Sequence, residues 1–422
     1  MSTTTAAPSS GMAGKLGTWL MIIATVGLAF VICVELINIL FYDPWSDEKF
    51  LFKLSGSLSG VEIGPLTYLM FGSLAVALMM GLPLAFVTGG LGVMFIYLVG
   101  DAMMLNIVPG RIFPLMANPD IAAIPLFIFM ASMLERAGLI EEMFSVVYKW
   151  MGGISGGLAA ATIVASTILA AMVGVIGAAV VTMGIIALPA MLKRHYDHKI
   201  AIGSIMAGGT LGILIPPSIL AILYAVVAQQ SVGERYLGSL LPGLMLSGLY
   251  LTYVLVRSWL NPKLGPPIPV EDRISLKEKL KLLGNLIAPL ALVGLVLGLL
   301  FGGIATPVEA AGIGSFGAII VAMMHKKFSI AGLREASVTT AKASAMVLWI
   351  MFGASVFVGF YILQGGQQFV TDAILGTGMS AYGILLLLMV LLVVLGMFLD
   401  WVGILLLAVP IFIPIVKALE FP

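Results

Sequence analysis

The sequence is poor in charge and in cysteine, and each scarcity excludes a class of protein. Asp, Glu, Lys and Arg make up 10% of the 422 residues, against about 25% in a typical soluble domain. The formal net charge of +1 provides no basic excess for a nucleic-acid partner. A single cysteine, Cys33, excludes a disulfide framework and a cysteine metal cluster.

Histidine is also scarce, which argues against a membrane-embedded enzyme. The three histidines, His195, His198 and His325, lie in or beside polar loops. The chain has no His-Glu-x-x-His pattern, paired aspartates or Ser/His pair that would supply catalytic groups inside a membrane. His195 and His198 could bind a metal weakly, but a solvated basic loop explains them better. We predict a protein that is not an enzyme and holds no organic cofactor.

Apolar residues are abundant instead, at 61% of the chain. Several runs approach or exceed the roughly 20 apolar residues that a helix needs to cross a bilayer. The sequence therefore predicts an all-α polytopic membrane protein. The runs lie at 16–42, 64–99, 120–138, 155–192, 200–228, 236–260, 283–302, 304–325, 343–363, 381–398 and 402–418.

Two of these runs are too long for one crossing. Run 64–99 contains Gly81-Leu82-Pro83, and run 155–192 contains Gly174 and Gly177 near its middle. Because glycine and proline disfavour a continuous helix, we predict a break at each position. Each run fits two short crossings or one re-entrant hairpin.

Lysine and arginine cluster in three connecting segments, 193–199, 261–281 and 326–342. Cytoplasmic loops of membrane proteins are enriched in these residues. We therefore predict that all three segments are loops on the cytoplasmic side, with two crossings between each successive pair.

Two connections carry the pattern of a capping box. Ser275 precedes Glu278 by three residues, and Thr306 precedes Glu309 by three. In such a pair each side chain bonds the backbone of the other residue and starts a helix. We interpret Glu309 as a cap of this kind rather than as a functional acid at membrane depth.

The most informative segment is "GGTLGILIPPS", residues 208–218, in the middle of run 200–228. Proline removes a helical hydrogen bond, and a membrane tolerates the freed carbonyls only beside protein or a wet cavity. Freed carbonyls suit a hard cation, and the helix start after the prolines suits a carboxylate. We predict an ion and substrate site here, with Thr210 and Ser218 as sodium ligands. Its candidate residues are Gly208, Gly209, Thr210, Gly212, Pro216, Pro217 and Ser218.

A weak internal repeat points to a second site. Residues 174–192 resemble 396–414 in their order of glycine, branched residues and proline, although apolar helices mimic each other easily. Pro216 follows Pro189 by 27 residues, and the same interval after Pro410 passes the last residue. We therefore expect the chain to stop one broken helix short and not to transport by itself.

Several motifs together resemble the large membrane subunit of tripartite ATP-independent periplasmic (TRAP) transporters, over residues 64–422. With its extra first helix, the chain is similar to the long members associated with mannitol and chloroaromatic compounds. The motifs, in the order of the family, are "GLPLAFVTGGLG" (81–92), "IPLFIFMASMLERAGL" (124–139), "GGTLGILIPPSI" (208–219), "GGIATPVEAAGIG" (302–314) and "GMFLDWVGILLLAVPIFIPI" (396–415).

The resemblance implies an elevator-type, sodium-coupled importer in the bacterial inner membrane, built as an inverted repeat with re-entrant hairpins and broken helices. A periplasmic binding protein would deliver an organic acid to this subunit and a small four-helix subunit. The implied parts are an extra helix and loop (1–63), a first half-repeat (64–260) whose hairpin is 155–192, a connecting part with a basic loop and arm (261–342), and an incomplete second half-repeat (343–422).

The chain departs from the family at three places, and these put part of the site in doubt. The serine-rich tip of the first hairpin reads here Val173-Gly174-Val175-Ile176-Gly177, without hydroxyls. The later "TPPVG" motif is absent, and residues 1–63 lie outside the match. The family's second hairpin has an acid linked to ion binding, so we place Asp400 and Gly396 at the second site, with Asp400 as a sodium ligand. An interfacial helix cap is the alternative for Asp400.

Two other functions remain open for an apolar bundle with scattered glycines. One is an ion or solute channel, and the other is a structural subunit without transport activity of its own. Saturable, sodium-dependent uptake would argue against both.

Overall fold

A computed structural model of the chain describes residues 56–419, apart from residues 101, 152, 174–175 and 268–274. Every regular element in these ranges is helical, and no strand occurs among them. Cys33, run 16–42 and Gly174, all named above, lie outside the described residues.

The described chain forms two compact units, of which one holds the residues up to Leu115 together with those from Trp349 onward. Its 3-10 turn covers Ala102–Asn106, and it includes the last part of a long helix, α13 (Ile330–Leu363), from Trp349 onward. Its α-helices are α1 (Ile63–Met79), α2 (Leu84–Val99), α3 (Ile107–Met116), α14 (Gly366–Leu375), α15 (Ala381–Gly396) and α16 (Trp401–Ala418).

The other unit covers Met116–Leu348. Three 3-10 turns interrupt it, at Pro119–Ala122, Leu211–Ile213 and Pro262–Leu264. Its α-helices are α4 (Ala123–Arg136), α5 (Leu139–Met151), α6 (Gly157–Val173), α7 (Ile176–Lys193), α8 (His198–Thr210), α9 (Ile219–Ala228), α10 (Val232–Leu260), α11 (Leu276–Phe301), α12 (Pro307–Met324) and α13 (Ile330–Leu363).

Four of the described helices, α10, α12, α13 and α16, are long and apolar enough to cross a membrane, and up to six spans result if two bent helix pairs are each counted as one. Apolar side chains cover the outside of many helices: Tyr253, Phe316 and Leu386 are each more than 60% exposed. Such surfaces require an apolar solvent. The chain is a multi-pass α-helical membrane protein, as predicted.

In the first unit, α1 and α2 pack against the end of α13. Phe71 meets Phe357 and Tyr361 edge-on, with ring centroids 5.7 and 5.1 Å apart, and the Thr67 hydroxyl lies 3.0 Å from the Tyr361 hydroxyl. The backbone at Gly92 approaches Phe357 so closely that a β-carbon would lie 3.0 Å from its nitrogen. Small residues allow this close helix contact.

In the second unit, α6 lies at the centre. Its residues Leu158, Ala161 and Ile163 are fully buried, and the helix packs against α4, α5, α7, α8 and α10. Helices α4 and α12 form another close pair, in which the Ser315 hydroxyl donates a 2.7 Å hydrogen bond to the carbonyl of Leu126. The interrupted helix described below is held within this packing.

The predicted helix breaks and starts are confirmed. Run 64–99 divides into α1 and α2 around Gly81, whose φ of +80° is a conformation that glycine adopts without strain. Run 155–192 divides into α6 and α7. Both capping boxes are present, with each Glu carboxylate accepting from the backbone N–H of its partner, Ser275 or Thr306.

The prediction of a loop over 326–342 is wrong, because α13 begins at Ile330 and runs for 34 residues. The N-terminal part of this helix exposes the charged residues Arg334, Glu335 and Lys342. Because these charges lower the local hydropathy, a hydropathy profile does not show this part as a helix. Arg136 pairs with Glu335 at 2.9 Å, an exposed ion pair that contributes little to stability.

Candidate functional site

The interrupted helix begins as α8, ends at Thr210, makes one 3-10 turn, and resumes as α9 at Ile219. Between the two halves, residues 214–218 are not helical. The Pro216–Pro217 peptide bond is cis, and both prolines are buried. The predicted break in run 200–228 is therefore confirmed.

Ser218 holds the two halves of the break together. It is fully buried, it donates a hydrogen bond to the carbonyl of Ile213, and it accepts one from the backbone N–H of Ala221 at 3.5 Å. Its own carbonyl accepts a 3.3 Å hydrogen bond from the buried Tyr236 hydroxyl. A hydroxyl oxygen has two lone pairs, so one remains for a further ligand.

The break also leaves backbone groups without partners. In the described part of the chain, no hydrogen-bond donor reaches the carbonyls of 214–217, and no acceptor lies within reach of the N–H groups of Ile219 and Leu220. Unpaired carbonyls attract cations, and unpaired amides at a helix start attract anions. The break thus presents both kinds of group within a few residues.

Two adjacent glycines seat α8 against the first hairpin. A β-carbon on Gly208 would lie 2.6 Å from the hydroxyl oxygen of Ser166 in α6, and one on Gly209 would lie 2.1 Å from Cγ2 of Val180 in α7. Any larger residue would push the helices apart. These two site candidates therefore have a packing role.

The remaining candidates in this motif differ in exposure. Gly212 is buried, whereas Thr210 is exposed and its hydroxyl donates to the carbonyl of Ala207 at 2.7 Å. On the far side, α10 packs against the break through Gly243, where a β-carbon would lie 2.8 Å from Cγ1 of Ile215. Leu211 and Ile215 form a small buried cluster with Ala170.

Sequence reasoning missed several polar side chains around the break. The Ser166 hydroxyl, packed on Gly208, is buried and has no hydrogen-bond partner among the described residues, which is costly for a polar group. Thr167 of α6 and Ser247 of α10 share a 2.6 Å hydrogen bond. No sequence signal marked them, because isolated Ser and Thr are common in apolar helices.

An acid also contacts the first hairpin. The carboxylate of Glu135, at the end of α4, accepts a 3.2 Å hydrogen bond from the Thr182 hydroxyl of α7. Glu135 lies in one of the quoted motifs, but the motif gave no reason to single it out. At the tip of the hairpin, Gly174 lies outside the described residues. Gly177 is exposed, and a β-carbon there would meet open space.

The base of the first hairpin is tied to the α7–α8 connection by Tyr196. Its hydroxyl accepts a 3.1 Å hydrogen bond from the backbone N–H of Leu158 in the first turn of α6. Burial raises the pKa of Tyr196 to about 12, although the hydrogen bond from Leu158 acts in the opposite direction. Tyr196 therefore keeps its proton in the folded protein up to a higher pH than an ordinary tyrosine does.

Gly396 and Asp400 belong to the other unit. Asp400 is exposed and caps α16, since its carboxylate accepts a 3.1 Å hydrogen bond from the N–H of Gly403. Gly396 is exposed at the end of α15. The capping alternative describes the observed contact of Asp400, and its role as a sodium ligand remains a prediction.

A cation at the break would be held by oxygen alone. Within the described ranges, no three His, Cys, Asp or Glu side chains come together as a metal site. The free carbonyls of 214–217 and the Ser218 hydroxyl are such oxygen ligands, and the role of Thr210 as a sodium ligand remains a prediction. Such a neutral, oxygen-only set suits a weakly bound monovalent ion better than zinc.

Comparison with known proteins identifies the family. Residues 71–422 match the family described as the DctM component of the tripartite ATP-independent periplasmic transporter. The isethionate TRAP transporter permease protein DctMQ of Oleidesulfovibrio alaskensis is 32% identical over 355 residues, which is 84% of this chain and 55% of that protein. The C4-dicarboxylate TRAP transporter large permease protein DctM of Rhodobacter capsulatus is 28% identical, over 82% of this chain and 81% of its own length.

Other relatives are named for other solutes. The ectoine/5-hydroxyectoine TRAP transporter large permease protein UehC of Ruegeria pomeroyi is 27% identical over 83% of this chain and 81% of its own. Among solved structures, the YdaH transporter of Alcanivorax borkumensis superposes with a TM-score of 0.56 at 16% identity, covering 82% of this chain and 83% of that one. That likeness shows a shared fold. The chain spans 55% of the isethionate permease protein and about four fifths of the other three.

Proposed function

This chain belongs to the DctM component family of tripartite ATP-independent periplasmic transporters, and we propose that it imports a small organic acid driven by a sodium gradient. Family membership makes it the large membrane subunit of a transporter, and its proposed function is transport without catalysis. The observation that carries the finer proposal is the break at 211–218, where free carbonyls and free amides lie within a few residues.

The two sets of backbone groups bind different ligands in this proposal. The carbonyls of 214–217 and the second lone pair of Ser218 supply ligands for sodium. The N–H groups of Ile219 and Leu220, at the positive end of α9, supply donors for a substrate carboxylate. A bound cation beside a bound anion reduces the electrostatic cost of each inside a membrane, which couples the two.

The partners and location follow from the family. We propose a small four-helix membrane subunit and a periplasmic binding protein as partners, and the bacterial inner membrane as the location. The relatives named above carry isethionate, C4-dicarboxylates or ectoines, so a small, charged organic solute is the proposed substrate class. We further propose an elevator movement of the part that carries the break.

Sodium binding is tested without knowing the substrate. Purified protein is melted in NaCl and in choline chloride at equal ionic strength, and a ligand that binds only the folded state raises the melting temperature. Ser218→Ala should raise the half-maximal sodium concentration about tenfold, if one ligand contributes about 1.4 kcal/mol. Ser218→Thr, which keeps a hydroxyl, should restore the wild-type value, and Gly203→Ala, in α8 before the break, is the control.

The second proposed sodium ligand is tested in the same assay. Asp400→Asn keeps the capping oxygen and removes the charge, so it should weaken the sodium dependence more than the yield of folded protein. Unchanged sodium dependence in both Ser218→Ala and Asp400→Asn would place the ion elsewhere.

Transport is tested in proteoliposomes that contain the small subunit, with the binding protein supplied outside. A radiolabelled C4-dicarboxylate serves as the first probe, followed by isethionate and ectoine. Saturable uptake that requires both the binding protein and an inward sodium gradient supports the proposal. Uptake that is linear in concentration and independent of sodium favours a channel. A chain that shows neither uptake of any probe nor a sodium-dependent rise in melting temperature favours a structural subunit.

A further inference from the structure

A cluster of four lysines lies where the end of α5 meets the start of α11. Lys149 is in the last turn of α5, and Lys277, Lys279 and Lys281 are in the first two turns of α11. The two helices pack against each other. Residues 268–274 carry further charges but lie outside the described ranges.

Trp150 and Lys279 fasten the two helices to each other at this point. The indole Nε1 donates a 3.2 Å hydrogen bond to the carbonyl of Lys279, and the Lys279 ammonium donates one of 3.4 Å to the carbonyl of Trp150. The same ammonium lies 5.9 Å from the centroid of the indole ring, close enough for a cation–π contact. The orientation of the indole is therefore fixed, while 38% of the residue stays exposed.

The other three lysines of the cluster are not paired with an acid among the described residues. In the described part of the chain, no carboxylate oxygen lies within 4 Å of the ammonium groups of Lys149, Lys277 or Lys281. The neighbouring acid, Glu278, interacts with Lys149 at longer range, but its carboxylate accepts from both the N–H and the hydroxyl of Ser275, each at 3.0 Å. Among the described residues, the cluster therefore carries more positive than negative charge.

The direction of α11 places this charge beside the apolar surface. Segment Lys277–Gly284 makes an angle of 48° with the apolar segment Leu286–Phe301. Leu280 and Ile287 are 57% and 66% exposed, so apolar side chains continue directly from the lysines. A basic segment that carries a tryptophan contact and bends into an apolar segment is typical of a membrane–water interface.

We propose that the α5–α11 cluster, formed by Lys149, Lys277 and Lys281 beside Trp150, binds the headgroup of an anionic phospholipid. Ammonium groups bind phosphate as point charges, and basic clusters at the ends of membrane helices attract anionic lipids. The exposed leucine and isoleucine offer a surface for the acyl chains. The lysine bias that predicts a cytoplasmic orientation for this end agrees with a lipid contact there.

The experiment compares two double variants that remove equal charge. Lys277→Gln/Lys281→Gln removes two lysines of the cluster, and Lys263→Gln/Lys326→Gln removes two exposed lysines outside it. Native mass spectrometry of the purified protein measures the binding of phosphatidylglycerol and of phosphatidylcholine. Glycerol 3-phosphate is added as a competitor, to separate a lipid headgroup from a free phosphate.

The cluster variant should lose phosphatidylglycerol affinity by about 25-fold, because each surface lysine contributes roughly fivefold. The control variant and all phosphatidylcholine binding should be unchanged. Equal phosphatidylglycerol affinity in both variants, or an equal loss in both, would overturn the proposal. Displacement of the lipid by glycerol 3-phosphate at comparable concentration would also overturn it, in favour of a simple anion site.

A single substitution keeps the test valid if the double variant does not fold. Lys149→Gln leaves α11 untouched and should lower phosphatidylglycerol affinity about fivefold. An unchanged affinity in folded Lys149→Gln protein would overturn the proposal as well.

Discussion

The first arms of the hairpins α6–α7 and α15–α16 differ sharply in how much of their apolar surface is covered. Along α6, Leu158, Ala161 and Ile163 are fully buried, whereas along α15 Leu386, Met389 and Val393 are each more than half exposed. The second arms of the two hairpins were similar enough in sequence to suggest a repeat. These similar second arms do not follow the difference, since Val402, Leu405 and Ile415 of α16 are buried, whereas Val181 and Ile185 of α7 are 60% and 71% exposed.

The helix-capping residues of the two units also differ in burial. Ser218 and Asp400 each cap a helix, but Ser218 is fully buried and Asp400 is exposed. When an exposed capping side chain is removed, water can bond the backbone N–H that it capped. When a buried capping side chain is removed, the backbone groups that it bonded stay unpaired, at a cost of about 1–3 kcal/mol each. The comparison therefore predicts larger effects around the break than around Asp400.

The largest effect is expected at the contact between α8 and α6. Gly208→Ala would place a β-carbon 2.7 Å from Cβ of Ser166, so the helices must separate, at a cost of about 1–3 kcal/mol. Thermal unfolding in detergent should show a lower melting temperature.

Two glycines serve as controls for Gly208→Ala. Gly203 lies in the same helix with nothing within 4 Å, and Gly396 has only Cδ1 of Ile404, at 3.7 Å. Alanine at either position should be neutral or slightly stabilising, because alanine favours a helix. Equal destabilisation at all three positions would show that the close approach at Gly208 is unimportant.

The second effect compares a buried with an exposed serine cap. Ser218→Ala removes the donor to Ile213 and the acceptor of Ala221, so it should cost about 2 kcal/mol. Ser380→Ala removes the cap of α15, an exposed 3.3 Å hydrogen bond to the N–H of Gly383, and should cost about 0.5–1 kcal/mol. Melting temperatures that fall equally would contradict the role given to burial.

The third effect concerns the base of the first hairpin and its pH dependence. Tyr196→Phe leaves the N–H of Leu158 without its acceptor, at a cost of about 1–2 kcal/mol near neutral pH. The folded pKa of Tyr196, about 12, lies above the ordinary value of about 10. The stability that the neutral hydroxyl provides is therefore complete below pH 10 and is lost as the pH rises towards 12.

Melting curves recorded from pH 8 to pH 11.5 check this prediction. The difference in melting temperature between wild type and Tyr196→Phe should narrow above pH 10. Parallel curves over the whole range would argue against a buried, neutral hydroxyl.

The smallest effect is expected at Asp400. Asp400→Ala removes an exposed cap and should cost about 0.5–1 kcal/mol, whereas Asp400→Asn keeps a capping oxygen and should change stability by only a few tenths. A much larger loss for both variants in thermal unfolding would show that Asp400 has structural contacts beyond Gly403.

Local signals in the sequence predicted local features correctly. Glycine and proline at 81–83 and at 208–218 marked the ends of helices, and the pairs Ser275–Glu278 and Thr306–Glu309 marked their beginnings. These signals are reliable because a missing N–H, an absent side chain or a capping oxygen acts within one turn. The start of α13 was missed because its charged first turns contradict a reading based on hydropathy alone.

The sequence by itself determined that this is a helical membrane protein with a broken helix at 208–218, because composition and proline placement act on any chain in the same way. The transporter family was indicated by the resemblance of its motifs. Only the tertiary structure decided that Ser166 rests unpaired on Gly208, that Ser218 bridges the break, and that Trp150 joins Lys279. Ser218 and Ile213 are 5 positions apart in the chain, and Trp150 and Lys279 are 129 positions apart. Ser166 and Gly208 lie on two different helices. Their partners are chosen by how helices pack, and one sequence read along its length contains no record of that packing.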